Sequence, residues 1–128
     1  MKKFLCISPH TVFGSFLVRC ISSMDNARVV HLISLEAAKA RLAQDQFTGI
    51  FVETDAAAEI DGISIAKSLL RIFPNLHIHI IASGAYSEEE KTAAMESGAL
   101  DYIHARSPVT AAPEFLEALR AVVVGVAA

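Results

Sequence analysis

A chain of 128 residues fits one domain, and at that length folding buries most of the surface that the unfolded form exposes. Apolar residues make up 53% of it and charged residues 20%, a balance that excludes a disordered, charge-dominated chain. A net charge of -3, with no Lys or Arg cluster beyond Lys2-Lys3, offers no footprint for nucleic acid or anionic lipid, and no window approaches the ~18 apolar residues of a membrane span.

In chain order, "KKFLCIS" reads as a strand and "TVFGSFLVRCISSM" as a helix. A second strand, "ARVVHLIS", leads to the helix "SLEAAKARLAQDQ", for which Ser34 is the expected N-cap. The third strand, "TGIFVET", is followed by "GISIAKSLLRIFPN", a helix closed by Pro74-Asn75. The fourth strand, "LHIHIIAS", precedes "YSEEEKTAAMESG", where Ser87 and Glu90 form a capping box and Gly98 suits a C-terminal cap. The last pair is the strand "LDYIH" and the helix "TAAPEFLEALRAVVV". The strands are nearly continuous in apolar character, as strands covered on both faces are.

This β-α alternation predicts parallel strands joined by right-handed crossovers: one domain, residues 1–128, built as a three-layer doubly wound five-stranded parallel sheet. In such sheets ligands and chemistry gather beyond the carboxyl ends of the strands. Those ends are Ser8, Pro9 and His10; Glu53, Thr54 and Asp55; Ala82, Ser83 and Gly84; and His104, Ala105 and Arg106. The terminal "AVVVGVAA" is unusually apolar, and Val122, Val123, Val124 and Val126 are expected to form an exposed strip suited to a dimer or a further domain.

Three stretches carry a resemblance to the receiver domains of two-component response regulators. "EIDGISIAKSLLRIFPNLHIHIIAS" is similar to the family's Asp-Gly-anchored third helix, Pro-Asn turn and fourth strand. "MESGALDYI" resembles its Gly-Ala-x-x-Tyr signature, and the interval from Ser83 to Gly98 matches the spacing from its Ser/Thr switch residue to that glycine. The resemblance spans essentially the whole chain and implies the flavodoxin-like and receiver-like strand order 2-1-3-4-5. It also implies a phosphorylation pocket: two acids after the first strand, an Asp phosphoacceptor after the third, a Ser or Thr after the fourth and a Lys after the fifth. The acids would hold Mg²⁺ on oxygen ligands, and the Lys would neutralise developing charge.

This sequence departs from that pattern. The acid pair falls on Ser8 and Pro9, the phosphoacceptor on Glu53 and the Lys on Ala105. The expectation is a degenerate pocket of Ser8, Pro9, Glu53, Asp55, Ser83, Ala105 and Arg106, in which Glu53 supplies a negative charge without modification. Asp55, two residues on, is the alternative phosphoacceptor. Arg106 is expected either to pair with Glu53 or to be solvated, and the segment up to Gly62, one residue longer than in the family and without its Met-Pro, is expected to have a changed shape. Ser83 and Tyr102 match the family's switch pair, which couples the pocket to the surface of the fourth helix, fifth strand and fifth helix. On that surface Glu88, Lys91 and Met95 are the expected contact residues.

Other chemistries have weaker support in the sequence. His77 and His79, two apart on the fourth strand, invite a metal, but no Cys or carboxylate stands at a clear ligand spacing, so no metal site is expected. "SPHTVFGS" occupies the place where flavodoxin-like folds hold a flavin phosphate, yet Pro9 removes an amide donor and Val12-Phe13 add bulk. Nor does it fit the Asp-x-His-x-x-Gly pattern of cobalamin-binding domains. Cys6 and Cys20 lie in apolar periodic segments without a CxxC, which suits buried thiols in a reducing cytoplasm, and the N-terminus has too short an apolar run for a signal peptide. "SEEEK" fits a solvated helix start able to meet a basic partner.

The sequence therefore leads to an atypical, phosphorylation-independent receiver-like module. It is expected to be cytoplasmic, neither enzyme nor cofactor carrier, and to bind a signalling protein (kinase, output domain or regulator) or a second copy through the fourth helix, fifth strand and fifth helix. No direct contact with nucleic acid or membrane is expected. The alternatives are a phosphorylatable response regulator using Asp55 and a small-ligand or flavin-binding module.

Overall fold

The computed structural model describes residues 2–105 and 112–125. Five strands, β1 (Lys3–Ile7), β2 (Arg28–Leu32), β3 (Gly49–Thr54), β4 (Ile78–Ala82) and β5 (Asp101–His104), form one parallel sheet in the order β2-β1-β3-β4-β5. Between and after them run α1 (Thr11–Met24), α2 (Leu35–Leu42), α3 (Gly62–Ile72), α4 (Glu88–Glu96) and α5 (Pro113–Arg120). This is the flavodoxin-like and receiver-like α/β architecture.

Side-chain alternation along the strands builds two cores. Phe4, Cys6, Phe51, Ile81 and Ile103 face α1 and α5, where Phe16 stacks on Phe115 with ring centroids 5.9 Å apart. Leu5, Ile7, Ile50, Val52, Ile78 and Ile80 face α2, α3 and α4 through Ala38, Leu42, Ala66, Leu69 and Ala94. Cys6 is wholly buried, which pushes its thiol up to about 12; Cys20 is half-buried and raised for the same reason, and both thiols are free. They pack in the α1–α5 core and form no redox pair.

Local chemistry sets the helix ends. Ser34 caps α2 by accepting from the Ala37 amide, and Asp61 caps α3 by accepting from the Ser64 amide at 3.0 Å. At Gly62 an added Cβ would stand 2.2 Å from the Glu53 carbonyl oxygen, so the start of α3 lies directly on β3. Gly98, at φ +101, ends α4 in the left-handed region as expected of a C-terminal cap.

Three expectations are corrected. α2 stops at Leu42 rather than running through "AQDQ", because Asp45 turns out to Lys3 and Arg41 and accepts from the Gln46 amide. At α4 only half of the capping box forms: Ser87 accepts from the Glu90 amide, while the Glu90 carboxylate accepts from Tyr102. The tail does not form an exposed valine strip. Residues Ala121–Gly125 form a widened π turn in which Val123 is fully buried against α1, and Lys2 donates to the carbonyls of Val123 and Val124 at 2.8 and 2.6 Å. Val124 remains exposed, and Val126 lies outside the described residues.

Candidate functional site

The alternation that places Cys6, Phe51, Ile81 and Ile103 on the α1–α5 side carries on past the strand ends to Ser8, Glu53, Ser83 and Ala105. Four positions far apart in sequence thus meet at the carboxyl rim. β1 and β4 pair with β3 on either side, so Ser8 and Ser83 flank Glu53.

Glu53 is 1% exposed, and both of its oxygens are taken. Ser8 Oγ donates to Oε1 and Ser83 Oγ donates to Oε2. His10 Nδ1 stands 3.4 Å from Oε2 and is, among the described residues, the basic side chain that reaches Glu53, although its ring is half exposed. Ser8, fully buried, also accepts from the His10 amide at 3.1 Å, while its own carbonyl meets His31 Nε2 at 2.9 Å. Charge-assisted bonds of this kind are about twice as strong as neutral ones, so the two hydroxyls and the carboxylate hold the ends of β1, β3 and β4 together.

This donor set does not fit the Mg²⁺ site that the receiver resemblance implies. Ser8 and Pro9 replace the two acids with one hydroxyl and no carboxylate, and that hydroxyl is committed to Glu53. Mg²⁺ demands octahedral oxygen ligation and keeps several of its waters, which a carboxylate at 1% exposure has no room to meet. Among the described residues no group of three or more His, Cys, Asp or Glu is placed to hold a metal ion.

Asp55 and Pro9 are not brought into that cluster. Asp55 leaves the strand, pairing with Ile60 through reciprocal 2.9 Å backbone bonds around a 3-10 turn at Ala56–Ala58, and Glu59 closes the loop at φ +59. Its carboxylate lies against Gly84, where an added Cβ would be 2.3 Å from Oδ1. Pro9 is exposed; Ala105 is fully buried and donates its amide to the Ala82 carbonyl at 2.8 Å. Arg106, and any pairing with Glu53, lies outside the described residues.

Of the expected switch pair, Ser83 bonds to Glu53, and Tyr102 donates to Glu90 Oε1 at 2.5 Å, tying β5 to α4. Burial, and then the Glu90 carboxylate, push the Tyr102 phenol well above its ordinary value. Nearby, Tyr86 donates to Glu88 at 2.5 Å and sits edge-on to Tyr102 and His104. Glu88, Lys91 and Met95 are exposed on α4.

Sequence pattern alone does not assign the roles of His10 and Glu90. Position at the rim, two residues beyond Ser8, was the available signal for His10. Glu90 shares α4 with the exposed contact residues but spends its carboxylate on Tyr102. The two histidines of "LHIHI" also separate. His77 lies before β4 and is exposed, whereas His79 is buried with Nδ1 2.5 Å from Asp101.

No family model matches the chain, and no curated protein matches it. Solved structures do match in fold. A response regulator receiver protein from Pseudoalteromonas atlantica is 19% identical with a TM-score of 0.74, covering 96% of this chain and 94% of that one. A putative pilus assembly-related protein from Burkholderia pseudomallei is 18% identical with a TM-score of 0.74, covering 100% and 93%. An atypical orphan response regulator, whose structure is described as revealing a phosphorylation-independent regulatory mechanism, is 18% identical with a TM-score of 0.71, covering 96% and 92%. Among the described residues no helix is long and apolar enough to cross a membrane.

Proposed function

We propose that the chain is an atypical receiver-like domain that acts by recognising a signalling protein and does so without being phosphorylated. The observation that carries this reading is Glu53: an acid at the end of β3, buried, with each oxygen bonded by a serine from a neighbouring strand. A side chain so enclosed is a poor nucleophile toward a phosphodonor, and the hydroxyl and imino acid beside it supply no carboxylate for Mg²⁺. The same acid side chain is in direct contact with Ser83 without any modification. Such a contact can hold the rim in one arrangement, with α4 and β5 clasped through Glu90 and Tyr102.

In this reading the working surface is α4, β5 and α5, with Glu88, Lys91 and Met95 on its exposed side. The partner is a kinase, an output domain, a regulator or a second copy of the chain. The domain works by recognition and not by catalysis. The likeness in fold to receiver proteins, an atypical orphan among them, supports the class of function.

Incubation with Mg²⁺ and acetyl phosphate, read by intact mass, tests the claim. The expected result is an unchanged mass. A gain of one phosphoryl group on Glu53 or Asp55 contradicts it.

A further inference from the structure

Beside the buried carboxylate, between the β3–α3 loop and the start of α4, lies an open cleft of about 780 Å³. Its apolar lining comes from Ala56, Ile60, Ile63, Ala85 and Tyr86. Its charged lining among the described residues is of one sign only: Asp55, Glu59, Asp61, Glu89 and Glu90, with no Lys, Arg or His. Among the described residues none of these five carboxylates makes an ion pair, although Lys67 bears on Asp61 from a distance. Two of the acids have structural work, Asp61 capping α3 and Glu90 accepting from Tyr102. Glu59 and Glu89 are exposed.

We infer that this cleft docks an arginine-bearing segment of a partner protein. The inference rests on the reading of the chain as a recognition module and names the chemistry of what it recognises. An apolar trough with an acidic rim suits a side chain with an apolar stem and a cationic head. Tyr86 supplies a half-exposed aromatic face, fixed by its bond to Glu88 and by edge contacts to Tyr102 and His104, each at 5.9 Å. A guanidinium stacks on such a face and forks to carboxylates, which an ammonium does less well. An anionic ligand is repelled. A bare divalent cation lacks a ligand cluster among the described residues and has no use for the apolar lining.

The test is an NMR titration of the full chain with the capped peptide Leu-Arg-Arg-Leu, compared with the same peptide carrying uncharged citrulline for both arginines. The arginine peptide is expected to shift the amides of Ala57, Glu59, Tyr86 and Glu89 and to weaken as salt is raised; the citrulline peptide binds at least ~tenfold more weakly. Paired exposed changes Glu59→Gln and Glu89→Gln weaken the arginine peptide by about fivefold, and Tyr86→Ala weakens it further, whereas Glu36→Gln with Glu117→Gln, the same charge change away from the cleft, has no effect. Equal binding of the two peptides, shifts confined to other surfaces, or no saturable binding overturns the inference. An unmodified mass with acetyl phosphate beside failed peptide binding rejects the cleft alone. Phosphoryl gain beside intact peptide binding rejects phosphorylation independence alone.

Discussion

The hydroxyl of Ser83, one residue past β4, donates to the Oε2 oxygen of Glu53 at the end of β3, and Ser8 mirrors it on the other side by donating to Oε1. Glu53 is thereby an acceptor with both oxygens filled and almost no water. Loss of either hydroxyl leaves a buried, partly unpaired charge, while loss of the charge itself removes the desolvation cost along with the bonds. Ser8→Ala is therefore expected to destabilise the fold by ~1.5–3 kcal/mol, and Glu53→Gln, which keeps one acceptor and can donate to a serine oxygen, by less than ~1 kcal/mol. Urea unfolding of the two variants gives the order. A Glu53→Gln cost larger than that of Ser8→Ala would mean that a cation compensates the charge.

Gly62 holds α3 against the backbone of the residue that carries the site. A Cβ there would stand 2.2 Å from Glu53 O and 2.9 Å from Glu53 C, both main-chain atoms. Backbone cannot yield as a side-chain tip does, so Gly62→Ala is expected to cost ~1–3 kcal/mol despite the better helix propensity of Ala. Gain of stability in urea, as at an unconstrained helical glycine, would contradict the close approach.

His79 gives the fold a pH dependence with a defined sign. Burial disfavours its charged form and holds it below the usual value of 6.5, with the hydrogen bond it donates to Asp101 opposing. Because the folded value is depressed, the unfolded chain binds the proton first. Stability is full above about pH 6.5 and falls as pH drops through that value toward the folded one. Asp45, held low chiefly by the Lys3 hydrogen bond, and Asp61, held low chiefly by the Ser64 hydroxyl, contribute only above their usual 3.8, so their loss falls in a separate, more acid window. Between about pH 7.5 and 5.5, wild type is expected to lose stability more steeply than His79→Phe. Equal slopes would contradict a buried neutral His79.

Much of the architecture can be read from the chain because its signals are local. Five short apolar runs, Ser34 and Ser87 at helix starts and the Asp61-Gly62 pair mark the elements, and α1 spans the same Thr11–Met24 that its sequence pattern marks. The grouping of Ser8, Glu53 and Ser83 also follows from strand-end alternation once the sheet order is set. What local signals miss are competitions settled by tertiary contact. The carboxylate of Glu90 has a choice between the Ser87 amide and the Tyr102 hydroxyl, and only the approach of β5 decides it. Asp45 ends α2 because Lys3 of β1 reaches it. Val123 looks like an exposed tail residue until the widened last turn brings it against α1.

Titration with Mg²⁺ is the most direct test of the central claim that Glu53, enclosed by Ser8 and Ser83, has taken over the rim from any metal-assisted phosphate chemistry. Amide shifts of Ser8, Glu53, Ser83 and Ala105 are the readout. No saturable change is expected at millimolar Mg²⁺, in wild type and in Glu53→Gln alike. Saturable shifts at those four residues in wild type that vanish in Glu53→Gln would contradict it.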